Sequence, residues 1–249
     1  MKYGFLIKLL LVSLISAALL ISLSVAFGEL SPPPYLYGEN SPTNAGNPKY
    51  TTVIIDAGHG GEDGGASSAS GLVEKDVNLE IARILRDMLE ANGVNVKMTR
   101  EDDRLLYDRS VNYKGRKKKL DLAARLAIAD ATPNAIFISI HMNSFGDPKY
   151  SGLQVWYSQN HTDSSSLAEL IRGKNQKMLQ GDNNRKCKAA TSAINLLHNA
   201  KCPAVLVECG FLSNADEAAL FETQDYRQRV AFMLFCSVTE FLSNSLQTP

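Results

Sequence analysis

A surplus of charge of one sign, closely spaced cysteine pairs and internal repeats are all missing from this chain of 249 residues. Its 26 Lys and Arg are matched by 26 Asp and Glu. It therefore lacks the cationic footprint that draws proteins to nucleic-acid phosphates, and no nucleic-acid partner is expected. The four cysteines, Cys187, Cys202, Cys209 and Cys236, include no C-x-x-C spacing. That excludes a zinc ribbon and a thioredoxin-type redox site. Cys209 and Cys236 fall in apolar runs as small buried hydrophobes, while a Cys187–Cys202 bridge stays open for an exported protein. What is present is ordinary: 45% apolar and 21% charged residues, a globular balance. A chain of this size buries a full core without staples. A metal, if there is one, then serves chemistry rather than folding.

Lys2 and Lys8 flank the start of a charge-free apolar run over residues 9–27, which includes Ser24-Val25-Ala26, a small-x-small cleavage pattern. Residues 1–27 read equally as a signal peptide or as an uncleaved membrane anchor. Either one places the rest of the chain outside the cytoplasm, secreted or held at the outer face of the membrane. Residues 28–50 are rich in Pro, Gly, Asn and Ser and have no apolar period, so they are expected to be a linker. The domain is expected at 51–245.

Within the domain, apolar runs predict strands at 51–57, 94–99, 135–140 and 153–158, a short one at 194–197, and another from Ala204 to Glu208. Helical spacing predicts helices over 74–92, 118–130, 164–180 and 225–243. Val77, Ile81, Ile84, Leu85, Met88 and Leu89 form the inward face of the first. Gly93 is its C-terminal stop. Asn214 and Glu217 form a capping box for a further helix. Strands alternating with helices imply a single α/β domain with a mixed, mostly parallel sheet flanked by helices. The basic run KGRKKK at 114–119 reads as a solvated face. The polar segment GDNNRKCKAATS at 181–192 reads as a loop near the active face.

The chain is organised around 53–74, VIIDAGHGGEDGGASSASGLVE. A β-branched strand breaks into a glycine loop that holds His59, and Glu74 opens the next helix. His141 and Glu208 occupy equivalent places at the ends of two other apolar strands. In a parallel sheet those ends share one edge, where ligands bind in α/β folds. Two imidazoles and a carboxylate form a common catalytic zinc donor set, and a further carboxylate beside them can act as general base. Glu208 is the hardest of these to explain structurally, because an apolar strand is an expensive place for a carboxylate. His161 and His198 read as structural. Glu62 is a rival ligand, since it forms H-x-x-E with His59.

IIDAGHGGEDGGA with Glu74, SIHMNS around His141 and PAVLVECGFLSN around Glu208 resemble the zinc-dependent N-acetylmuramoyl-L-alanine amidases of bacterial cell walls. The resemblance spans about residues 51–243. It implies Zn2+ as cofactor, His59, Glu74 and His141 as ligands, and Glu208 as the catalytic carboxylate. It also implies an α/β sandwich fold, and as substrate the lactyl–L-alanine amide of a peptidoglycan glycan strand carrying its stem peptide. The short layout, with an N-terminal signal and no wall-binding repeats, is similar to that of spore-cortex amidases, whose action prepares muramic δ-lactam. Two other readings remain open at this level: a zinc carboxypeptidase or deacylase on another substrate, and a non-catalytic wall-binding module. Residues 9–27 also leave membrane association open.

Overall fold

The structure, a computed structural model, describes residues 48–108, 110 and 114–246. The apolar run at 9–27 and most of the expected linker lie outside the described residues. Among those described, no helix is long and apolar enough to cross a membrane.

Six strands form one sheet: β1 (Thr52–Ala57), β2 (Asn95–Met98), β3 (Ala135–Asn143), β4 (Gln154–Tyr157), β5 (Lys188–Ala189) and β6 (Ala204–Phe211). Their order is β2-β1-β3-β6-β4-β5. All neighbours run parallel except β4, which lies antiparallel to β6. The mixed, mostly parallel sheet expected from the sequence is thus present. Among the described residues six helices flank it: α1 (Glu74–Ala91), α2 (Lys117–Asp130), α3 (Asp163–Met178), α4 (Asn195–Asn199), α5 (Ala215–Glu222) and α6 (Gln224–Asn244).

The central strands are near-continuous apolar runs because both sheet faces are covered. On one face Val53, Ile55, Ile138 and Val207 pack with Ile81 and Leu85 of α1, Ile171 of α3 and Leu234 of α6. On the other, Ile54, Phe137 and Leu206 meet Leu126 of α2 and Leu197 of α4. Alternate residues of a strand share a face. Following that second face toward the C-terminal edge, Ile54 gives way to Asp56, Phe137 to Ser139 and His141, and Leu206 to Glu208. The apolar face turns polar toward that edge in all three strands, first at Asp56 and Ser139, which are in register, and two residues later at Glu208.

Four expectations are corrected. First, β3 and β6 run past His141 and Glu208, so these residues lie within strands, directly in register with each other. Second, 194–197 is not a strand. Asn195–Asn199 is a single helical turn that buries adjacent Leu196 and Leu197 against the second apolar cluster. The strand that exists is Lys188–Ala189, inside the segment read as loop, and that segment does not line the cavity that holds His59. Third, Cys187 packs with the first apolar cluster and Cys202 with the second, and all four cysteines are free thiols. Fourth, the expected linker ends too late. Pro48 bridges to Leu246, and Tyr50 is buried, stacked on Phe241 at 5.7 Å. Lys49 Nζ donates to Asp163 at 2.6 Å, and the Tyr50 hydroxyl donates to the same carboxylate at 2.5 Å.

A soluble fragment should therefore begin no later than Pro48. One beginning at Thr51 loses the buried Tyr50 ring, worth roughly 2–3 kcal/mol. It should melt about 5–10 °C below a fragment beginning at Gly46. Calorimetry on the two fragments checks this, and equal melting temperatures would return Tyr50 to the linker.

Candidate active site

Just beyond β1 the chain turns through Gly58 and His59, and His59 adopts a left-handed φ of 62°, an uncommon conformation for a non-glycine residue. Two glycines in this loop are required by close approach. A Cβ on Gly58 would lie 2.3 Å from the His141 ring, and one on Gly65 2.4 Å from Glu74 Oε2. The loop also replaces a conventional cap on α1. Val73 offers no side-chain cap, but Ala66 O accepts from Glu74 N–H and Gly64 O from Lys75 N–H. That leaves the Glu74 carboxylate free to turn inward.

Glu74 is the meeting point. Its Oε1 lies 2.9 Å from His141 Nδ1 and 3.2 Å from His59 Nε2. The same oxygen accepts from Met142 N–H at 3.0 Å, and Oε2 accepts from Ala66 N–H at 2.7 Å. The two imidazoles stand edge to face, 4.9 Å between centroids. One ligating atom from each of His59, Glu74 and His141 falls within 4.8 Å of the others, a spacing and donor set suited to one divalent transition metal. Met142 points to the opposite face and is buried there, so it contributes its backbone and not a pocket wall.

The groups polarise one another. Burial raises the Glu74 carboxyl, but the two imidazoles outweigh it and hold the group well below the usual range. Burial lowers His59, but Glu74 and Asp63 outweigh it and leave the imidazole above its ordinary value. Asp63 Oδ2 sits 2.9 Å from His59 Nδ1, the arrangement by which a carboxylate orients a ligating ring.

Glu208 stands beside this group, and its Oε2 is buried without a hydrogen bond among the described residues. Burial pushes its carboxyl up to about 7, with nearby Glu74 adding to the effect and the imidazoles opposing it. His59, Asp63, His141 and Glu208 line one cavity of about 240 Å³, with Lys118 and Leu206 on its walls. Glu62 is elsewhere. Its side chain is largely exposed and pairs with Lys117. His161 and His198 also lie outside this cavity.

A family model described as N-acetylmuramoyl-L-alanine amidase matches residues 53–239. The chain belongs to that family. It is 34% identical to the germination-specific N-acetylmuramoyl-L-alanine amidase of Bacillus subtilis over 197 residues, 79% of this chain and 82% of that one. Among solved structures it is similar to the CwlD amidase of Clostridioides difficile, determined in complex with the GerS lipoprotein. That match has a TM-score of 0.73 and 36% identity, over 78% of this chain and 99% of the other. It is also similar to AmiC2 of Nostoc punctiforme, with a TM-score of 0.65 and 30% identity over 78% and 98% of the two chains.

Under this candidate site lies a buried ion cluster with no counterpart in the sequence analysis. Arg125 of α2 donates to Asp56 Oδ1 at 2.6 Å and to Asp121 Oδ2 at 2.7 Å. It also reaches Ala57 O at 2.8 Å and His59 O at 2.6 Å. Thr99 and Ser139 complete the Asp56 shell. The signal was available: Asp56 is a carboxylate inside an apolar strand, the same anomaly that marked Glu208. Asp63 was legible only as His59 plus four, a spacing that means little in a loop.

Gly65→Ala should leave the fold intact by circular dichroism while activity falls roughly 10²-fold, the scale of an ångström-level misplacement of reacting groups. The added methyl meets both Glu74 and His59, at a φ of +69°. Normal turnover in this variant would mean that the loop yields and Glu74 is not rigidly held.

Proposed function

We propose that this amidase is a zinc enzyme of the spore cortex in which His59, Glu74 and His141 hold one Zn2+ and Glu208 is the general base. The observation that carries the reading is the unpartnered, buried Glu208 oxygen in register with His141, next to a three-donor cluster whose atoms lie within 4.8 Å of one another. When bound, the ion supplies Lewis-acid activation of water and of the lactyl carbonyl. Glu208 takes a proton from the attacking water as its oxygen bonds to the lactyl carbon. It then delivers that proton to the L-alanine nitrogen as the carbon–nitrogen bond breaks. The products are a free lactyl carboxylate on the muramic acid and a stem peptide with a free amino terminus. Glu74 is already committed to two imidazoles and two backbone N–H groups, which leaves Glu208 as the carboxylate able to move protons.

The cortex assignment is supported by identity to a germination-specific amidase across most of both chains. Removing the peptide exposes the lactyl carboxyl from which a muramic δ-lactam closes. The wall substrate lies outside the membrane, in keeping with residues 9–27 acting as signal or anchor.

Metal analysis and turnover on purified peptidoglycan test the roles together. His59→Ala and His141→Ala should lose most zinc. Glu62→Gln should retain zinc and activity, and Glu74→Gln should lose both. Glu208→Gln should fold and keep zinc while release of L-alanine amino termini drops roughly 10²-fold or more, the scale of lost acid–base catalysis. Zinc lost with Glu208→Gln would make it a ligand. Intact muropeptides beside a zinc-loaded wild-type enzyme would point to another acyl substrate.

A further inference from the structure

Arg100 follows β2 and is 1% exposed, yet no carboxylate lies within ion-pair distance of it among the described residues. Its donors go to backbone carbonyls instead. Nε reaches Ala57 O at 2.8 Å, and Nη1 reaches Asp102 O at 3.1 Å. Nη2 is shared between Gly58 O at 3.0 Å and Lys75 O at 2.8 Å. Gly58 immediately precedes His59, and Lys75 immediately follows Glu74. One nitrogen thus ties the peptide next to one proposed ligand to the peptide next to another. Burial and the neighbouring Arg125 lower its pKa to about 10, so it stays charged at neutral pH.

The tie matters because His59 lies outside regular structure and the first turn of α1 is capped by backbone carbonyls of the glycine loop. His59 is in a left-handed turn, and the start of α1 has no side-chain cap. Arg125 holds His59 O, but among the described residues its hydrogen bonds go to Asp56, Ala57, His59 and Asp121 and none to α1. Asn78 crosses the same gap more weakly, donating to Gly58 O at 3.2 Å and to Glu74 Oε1 at 3.4 Å. A buried cation without a counter-ion is costly, and the carbonyls around Arg100 are what offset that cost.

We propose that Arg100 is a positioning residue of the metal centre, setting the separation of His59 and Glu74 through the shared Nη2. This rests on the zinc reading above. A lysine keeps the charge but presents a single ammonium in place of a planar fork, so it cannot hold Ala57, Gly58 and Lys75 together.

The test is equilibrium zinc affinity of the full chain, measured by competition with a chromogenic chelator. Arg100→Lys should bind zinc 10–100-fold more weakly, the range for losing a residue that orients metal ligands. Arg100→Gln, which removes the charge and keeps a planar donor, should weaken binding likewise and serves if the lysine variant does not fold. Val230→Ala, a core truncation on α6, is the control. It should lower the melting temperature while leaving zinc affinity within twofold. Wild-type affinity in the Arg100 variant, or an equal loss in Val230→Ala, would overturn the positioning role. A wild-type chain that takes up no zinc would overturn the metal reading and this one with it.

Discussion

The Glu74 carboxylate is the constraint on which the rest of the site depends. It joins α1 to two other pieces of chain: the glycine loop through Ala66 N–H and the His59 ring, and the end of β3 through Met142 N–H and the His141 ring. It is almost completely buried, and such a carboxylate stays charged only when charge-assisted partners surround it. The glycines follow from that. Gly58 and Gly65 are where side chains of the site lie too close to the backbone for any Cβ, so the loop is fitted to its own residues before any substrate enters.

Beneath this lies a second layer of charge. Asp56, Arg125 and Asp121 form a closed cluster on the sheet face that carries His141 and Glu208. Breaking such a cluster from one side strands a buried charge, a loss of about 3–5 kcal/mol. Its contribution here extends beyond stability, because Arg125 also grips the carbonyls of Ala57 and His59. The backbone that presents His59 is therefore held by cations below it and by the carboxylate beside it.

The sheet, its direction and the three-strand convergence were legible because burial on both faces writes itself as apolar runs, and the C-terminal edge of a parallel sheet is a fixed place. Local length was less legible. Nothing in SIHMNS or LVECGF marks where pairing stops, so β3 and β6 were read as ending early. The run Ile194–Leu197 is as apolar as a short buried strand, and nothing in its composition marks it as the helical turn it forms. Tyr50 sat at the end of a proline-rich stretch, and its partners Phe241 and Asp163 are more than a hundred residues away. Arg100 and Arg125 had no local signal, since each acts through carbonyls brought close only by folding.

Asp56 and Glu208 show why residue type in a buried strand is an incomplete guide to chemistry. Both are carboxylates on the same face of the sheet, with Glu208 two residues nearer its C-terminal edge. Burial raises both, but Arg125, Ser139 and Thr99 outweigh it at Asp56 and hold that group below the usual carboxylate range. Glu208 has no such partners and rises to about 7. A carboxylate paired with a guanidinium and two hydroxyls is a poor base, whereas one whose buried oxygen has no hydrogen bond is a better one. The difference lies in the arginine of α2, which reaches β1 and not β6. The division between a charge-paired carboxylate and an unpaired one with a raised pKa is thus set by which strand a flanking cation covers, a property of topology that neither residue carries in its own sequence neighbourhood.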